Sequence, residues 1–121
     1  MKQVLVVDDD SDILDALQFV LEDSGYAVTI SQKGEYAENL MKERNLPDML
    51  ILDVLLSGMD GREICHKLKQ NRSTQSLPIL MISAHLSSDK SIQDCGADAF
   101  LPKPFNINTL LQTIEHYVPN T

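Results

Sequence analysis

Three short apolar runs, each broken off by charge, constrain this chain more than any other feature. Val4, Leu5, Val6 and Val7 run into Asp8 and Asp9; Met49, Leu50, Ile51 and Leu52 run into Asp53; Ala99, Phe100 and Leu101 stop just ahead of Lys103. A run without polar alternation has no face to give to water, so each reads as a strand covered on both sides, the condition of a parallel sheet. In open sheets of that kind the ligand crevice lies beyond the carboxyl ends of the strands. Asp8, Asp9, Asp53 and Lys103 are therefore expected on one rim. Two unit charges about 4 Å apart interact by roughly 4 kcal/mol at an effective dielectric of 20. A cluster of three carboxylates calls for relief, and a hard divalent cation supplies it.

The remaining residues fill in the alternation. Asp10 or Ser11 caps a helix in which Ile13, Leu14, Leu17, Val20 and Leu21 recur on one face and that Gly25 stops. A second strand over 26–31 and a helix over 34–44, burying Ala37, Leu40 and Met41, lead through Pro47 to a third strand at 48–53. Turn chemistry from Ser57 to Gly61 precedes a helix carrying Ile64, Cys65 and Leu68 inside and Lys67 and Lys69 outside. Pro78 opens a fourth strand, Ile79 to Ile82, ending on Ser83. A weakly amphipathic helix over 88–95 suits a moving part. A fifth strand at 98–101 precedes the clearest helical stripe, Ile107, Leu110, Leu111, Ile114 and Val118. Five βα units joined by right-handed crossovers make a flavodoxin-like α/β three-layer sandwich, a single domain over 1–121 whose parallel five-stranded sheet has the order 2-1-3-4-5. Strands one and three then lie side by side, which brings Asp8 and Asp9 to Asp53.

Charge narrows the function. A formal net charge of −8 excludes nucleic-acid backbone and anionic-membrane binding, which need a basic surface. The N-terminal apolar run of four residues is too short for a signal core or a membrane span, so a cytoplasmic protein is expected. Cys65 and Cys95 lack the spacing of a zinc site or a disulfide framework and read as buried filler. Oxygen donors without His or Cys favour magnesium. Beside magnesium an aspartate becomes a competent phosphoryl acceptor, and Lys103 and the Ser83 hydroxyl are placed to hold the phosphoryl oxygens.

The motifs that carry this chemistry, Val7-Asp8-Asp9, Leu52-Asp53-Val54, Met59-Asp60-Gly61, Ser83-Ala84, Gly96-Ala97-Asp98 and Lys103-Pro104-Phe105, resemble the receiver domain of two-component response regulators. The likeness covers essentially the whole chain, and it is the order and separation of the pieces that makes it specific. It implies a phosphoprotein of phosphorelay signalling with Asp53 as phosphoacceptor. Asp9 would be a direct magnesium ligand, Asp8 would act mainly through water, and the backbone carbonyl of Leu55 would be a further ligand. Ser83 and Lys103 would contact the phosphoryl group, Ser83 and Phe100 would form the switch, and the bond to Pro104 would be cis. A histidine kinase or histidine phosphotransfer protein would be the donor, docking on the first helix through residues such as Ile13 or Leu17 and on the loop after Pro104. The face of helix four, strand five and helix five would meet a downstream effector.

Departures from the family pattern carry their own expectations. Ser57 in place of proline implies a looser loop, Ser83 in place of threonine keeps the hydroxyl, and Phe100 in place of tyrosine has no hydroxyl to report outward. Leu55 and His85 occupy positions that tune hydrolysis, and the apolar Leu55 implies slow loss of the phosphoryl group. A magnesium-dependent phosphohydrolase with an aspartate nucleophile would want a second acid where Leu55 stands, and a flavin carrier would want a hydroxyl-rich loop where the acids stand. Asp10 and Asp12 read as helix-start acids, Asp60 and Gly61 as turn and helix start, and His66, His85 and His116 as surface residues. The start at Met1 and the polar end read as those of a free-standing protein, with a piece of a longer regulator or hybrid kinase as the alternative.

Overall fold

The computed structural model describes residues 1–85 and 90–119. The main sheet holds β1 (Gln3–Val7), β2 (Ala27–Ser31), β3 (Met49–Asp53), β6 (Ile79–Ser83) and β7 (Ala99–Pro102), all parallel, in the order β2-β1-β3-β6-β7. With a short two-stranded ribbon set aside, this is the 2-1-3-4-5 order read from the sequence. The ribbon, β4 (Leu55–Leu56) and β5 (Met59–Asp60), pairs antiparallel, with β5 inside the segment expected to be a turn and β4 just ahead of it. Gly58, between the two, has φ +76°, a left-handed value that glycine adopts without strain.

Period-two alternation splits the central strands between two cores. Leu5, Val7, Leu50, Leu52, Ile79 and Met81 face one layer with α2 (Gly34–Glu38), α3 (Gly61–Gln70) and α4 (Lys90–Gln93). Val4, Val6, Met49, Ile51, Leu80 and Ile82 face the other with α1 (Ser11–Asp23) and α5 (Ile107–Tyr117). Both faces are covered, which is why these runs are apolar throughout. Each fully buried aliphatic side chain is worth about 1.5–3 kcal/mol, so the two cores carry the fold.

Helix ends follow their sequence signals. Asp10 is the N-cap of α1 and accepts from Asp12 and Ile13. At the other end Gly25 (φ 95°) and Tyr26 donate backward to Glu22 and Leu21, the paired bonds of a glycine stop. Four expectations need correction. The helix over 34–44 ends at Glu38 and tightens into a 3-10 turn over Asn39–Lys42, where the spacing of three keeps Ala37 and Leu40 on one buried edge and leaves Met41 half-buried. Lys69 is not on a solvated outer side. Its ammonium donates to the carbonyls of Gln75 and Leu77 and to Asp98, tying α3 to the start of β7. Leu17 is fully buried against the sheet, and the large apolar residue that α1 exposes is Phe19, at 74%. Of the helix expected over 88–95, α4 supplies Lys90–Gln93, and its expected start at Ser88 lies outside the described residues.

Candidate phosphoacceptor and metal site

Register alone assembles the site. Val7 pairs with Leu52, so Asp8 leaves β1 beside Asp53 at the end of β3. Asp53 pairs with Ile82, which puts Ser83 one step beyond, and Ser83 pairs with Pro102, which puts Lys103 one step further. The Lys103 N–H donates to the Ser83 carbonyl at 2.9 Å, and the bond from Lys103 to Pro104 is cis.

The side chains close on one another. Asp8 and Ser83 are buried, Asp53 is 5% exposed, and Asp9 faces solvent. One carboxylate oxygen from each of Asp8, Asp9 and Asp53 lies within 4.8 Å of the others. Lys103 Nζ stands 2.9 Å from Asp8 Oδ2 and 3.3 Å from Asp53 Oδ2. Asp8 Oδ1 accepts from the Asp10 N–H at 2.9 Å, whereas Oδ2, although close to the ammonium, makes no well-aligned hydrogen bond. This, with an all-oxygen donor set, fits a hard divalent cation. Ser57 Oγ donates to Asp9 Oδ2 at 3.5 Å, a long contact on the exposed side of the cluster.

Electrostatics mark Asp53 as the unusual group. Burial and then the neighbouring Asp8 charge raise its pKa from 3.8 to about 6, against the lowering effect of Lys103. Burial alone would lower the pKa of Lys103, and its contacts with Asp8 and Asp53 more than reverse that, so it is raised. The ammonium stays charged throughout the physiological range.

Surrounding residues hold Asp53 in place. A Cβ on Gly61 would sit 2.1 Å from the Asp53 carbonyl oxygen, and the Gly61 N–H donates to the Val54 carbonyl at 2.7 Å. Only glycine lets α3 begin this close to the end of β3, a role beyond the helix start read from the sequence. Asp60 caps α3 and forms a fork with Arg62, which lowers its pKa through the hydrogen bonds of that pair. Arg62 also donates to Ser91 Oγ at 2.7 Å, reaching toward α4. Phe100 is half-buried against the α2–α4 layer, Leu55 is 56% exposed, and the backbone N–H of His85 donates to Ser83 Oγ. His66, His85 and His116 are exposed, as expected, and Met49 and Met81 are core. One relation had no signal in the sequence: the Lys69–Asp98 tie, which joins residues roughly thirty positions apart.

Comparison with known proteins agrees with this geometry. The chain is 41% identical over 112 residues to the response regulator MprA of Mycobacterium sp. (strain KMS), covering 90% of the chain and 47% of the relative. It is 34% identical over 117 residues to the phosphate regulon transcriptional regulatory protein PhoB of Rhizobium meliloti, covering 95% of the chain and 51% of the relative. The chain thus spans about half the length of these relatives. A putative response regulator from Chloroflexus aurantiacus superposes with a TM-score of 0.87 at 37% identity, covering 96% of both chains. The receiver domain of the sensor histidine kinase PA1611 from Pseudomonas aeruginosa, which has magnesium coordinated in its active-site cleft, shares the fold at a TM-score of 0.86 and 23% identity over 96% of each chain. Residues 4–115 match the response regulator receiver domain, and the chain belongs to that family.

Proposed function

We propose that Asp53 takes a phosphoryl group from the phosphohistidine of a histidine kinase or histidine phosphotransfer protein. A receiver domain is a regulator of two-component signalling, not a classical enzyme, and implies a cognate histidine kinase. The observation that carries the reading is the buried Asp53 carboxylate held with Asp8 and Asp9 inside 4.8 Å and with Lys103 Nζ at 3.3 Å. An Asp53 oxygen forms the bond to phosphorus as the phosphorus–nitrogen bond of the donor breaks. Asp8, Asp9 and Asp53, with the Leu55 backbone carbonyl as a further oxygen, would hold a magnesium ion, whose charge would offset the repulsion between the Asp53 carboxylate and the incoming oxygens. Lys103 stays beside the new phosphoryl oxygens, and the Ser83 hydroxyl donates to one of them.

The modification adds as many as about two negative charges at one point. Ser83 is drawn toward them, and the half-buried Phe100 turns into the space released, which shifts the face of α4, β7 and α5 toward an effector-binding packing. On the donor side, α1 exposes Ala16 and Phe19, and Ile107 lies beyond Pro104, so these replace Leu17 as candidate docking residues. The described residues contain no helix long and apolar enough to cross a membrane, and the acidic charge speaks against direct nucleic-acid contact.

The test is incubation with acetyl phosphate with and without magnesium, read by intact mass and phosphate-affinity electrophoresis. One phosphoryl group should appear on the native chain with magnesium only and never on Asp53→Asn. Modification that ignores magnesium, or that persists in Asp53→Asn, refutes the reading.

A further inference from the structure

We propose that the cavity between the β2 edge of the sheet and the short helix α2 is a binding site for a small guanidinium compound, held by the Glu43 carboxylate and the Tyr36 ring. The cavity measures about 300 Å³, and its polar wall is made by Gln3, Thr29, Tyr36, Asn39, Glu43 and Asn45. It lies toward the start of β1, whereas Asp8 and Asp53 stand at the far ends of their strands. At about 3.3 Å per residue, Gln3 is roughly 16 Å down β1 from Asp8. The site shares no residue with the phosphoacceptor cluster and does not depend on it.

The space is open because α2 is short. Thr29 pairs with Leu5, so both side chains point to the layer of α2. Leu5 is buried there, but Thr29 is exposed. α2 stops at Glu38, and the chain goes on as the narrower 3-10 turn over Asn39–Lys42. Leu40 of that turn joins Leu5 in the buried core, and the sheet face at Thr29 stays uncovered.

The chemistry of the wall selects the ligand. Among the described residues, the six side chains make no hydrogen bond or ion pair with another residue. Polar groups that converge on one concavity and that the fold does not use are free to orient a small molecule. Among the described residues Glu43 is the one charged group of the wall, with no lysine, arginine or histidine beside it. Together with a net charge of −8, this turns away anions and favours a cation. A guanidinium presents five N–H donors in one plane, which suits the Glu43 carboxylate together with the amide oxygens of Gln3, Asn39 and Asn45. Its face stacks on an aromatic ring, and Tyr36 is 50% exposed at the mouth. The volume is at the small end for ligand sites, which matches a guanidinium on a short alkyl chain and not a nucleotide.

The probe is agmatine, a guanidinium on a butylamine chain, titrated into the native domain in magnesium-free buffer and followed by nitrogen–proton NMR spectra. Saturable shifts are expected at Thr29, Tyr36, Asn39 and Glu43. Glu43→Gln should weaken binding by about tenfold, the loss expected when a hydrogen bond gives up its charge. Tyr36→Leu should also weaken it, and Asp53→Asn should bind as the native chain does. The diamine 1,4-diaminobutane, which carries the same charge without the planar fork, should bind more weakly than agmatine. Glu43 and Tyr36 are exposed, and the spectra themselves report that each variant is folded. Shifts that never saturate, shifts centred on Asp8, Asp9 and Asp53, unchanged binding by folded Glu43→Gln, or equal affinity for the diamine would each overturn the proposal.

Discussion

Replacing Asp53 by Asn should make the metal-free domain more stable. The carboxyl is raised from 3.8 to about 6 by burial and by Asp8, so the folded state holds its proton more tightly than the unfolded chain does. The stability that comes with that proton is complete below pH 3.8 and lost as the pH rises to about 6. At neutral pH the ionised side chain therefore destabilises the fold by on the order of 3 kcal/mol, with the favourable Lys103 contact already counted. Asn keeps the shape, drops the charge and recovers as much as that amount. For a domain of this size the gain is a rise in Tm of up to about 10 °C. The assay is thermal and urea unfolding of both proteins in EDTA from pH 4 to pH 7.5. The difference should be near zero at pH 4, grow to pH 6 and stay level above it. Magnesium should then narrow the gap by stabilising the native chain more than the variant. An Asp53→Asn variant that is less stable than the native chain at pH 7 in EDTA, or a gap that ignores pH, refutes the argument that repulsion and burial dominate at Asp53.

Three further outcomes follow from the same contacts. Lys103→Ala strands the buried Asp8 carboxylate and should lower metal-free stability by about 3 kcal/mol in urea melts, with phosphorylation by acetyl phosphate strongly slowed. Gly61→Ala drives a Cβ against the Asp53 carbonyl and should cost at least about 1–3 kcal/mol, with slower phosphorylation that magnesium does not rescue. On the proposal that the apolar Leu55, two residues beyond Asp53, hinders the approach of water, the phosphoryl group on the native domain should outlast minutes and Leu55→Asn should shorten its life; loss from the native domain within seconds, measured on the purified phosphoprotein, contradicts this.

The strand runs and their charged ends were legible because a strand buried on both faces leaves a plain signature: Met49 to Leu52 has no polar residue to misplace, and the next residue is Asp53. Sheet order, the acidic triad and Lys103 followed from that signature. What escaped has one physical cause, dependence on contacts distant in sequence or on spacing too short to show a period. The helix expected at 34–44 has a good apolar stripe, yet Ala37 and Leu40 sit three apart and serve a 3-10 turn as well as an α-helix. Leu17 and Phe19 are both apolar on α1, and only the packing of α1 on the sheet decides that Leu17 is inside and Phe19 outside. Lys69 looks like any helix-surface lysine until Asp98 arrives from the far side of β6.

The charge count of the site explains why so strained a cluster persists. Asp8, Asp9 and Asp53 bring three negative charges and Lys103 one positive, which leaves two uncompensated at neutral pH. That deficit equals the charge of one divalent cation, and the unaligned Asp8 Oδ2 lies at the same place. A fold selected for stability alone would relieve it with a second lysine or an apolar pair, since well-packed apolar residues commonly match or exceed a buried ion pair. Lys103 covers only one edge of the cluster, bridging Asp8 and Asp53 and leaving Asp9 open to solvent. The remaining negative charge is thus directed at the mouth of the crevice, where a hydrated dication and a phosphoryl group can reach it. The instability that the Asp53→Asn measurement would expose and the capacity to accept a phosphoryl group are then consequences of one arrangement of charge.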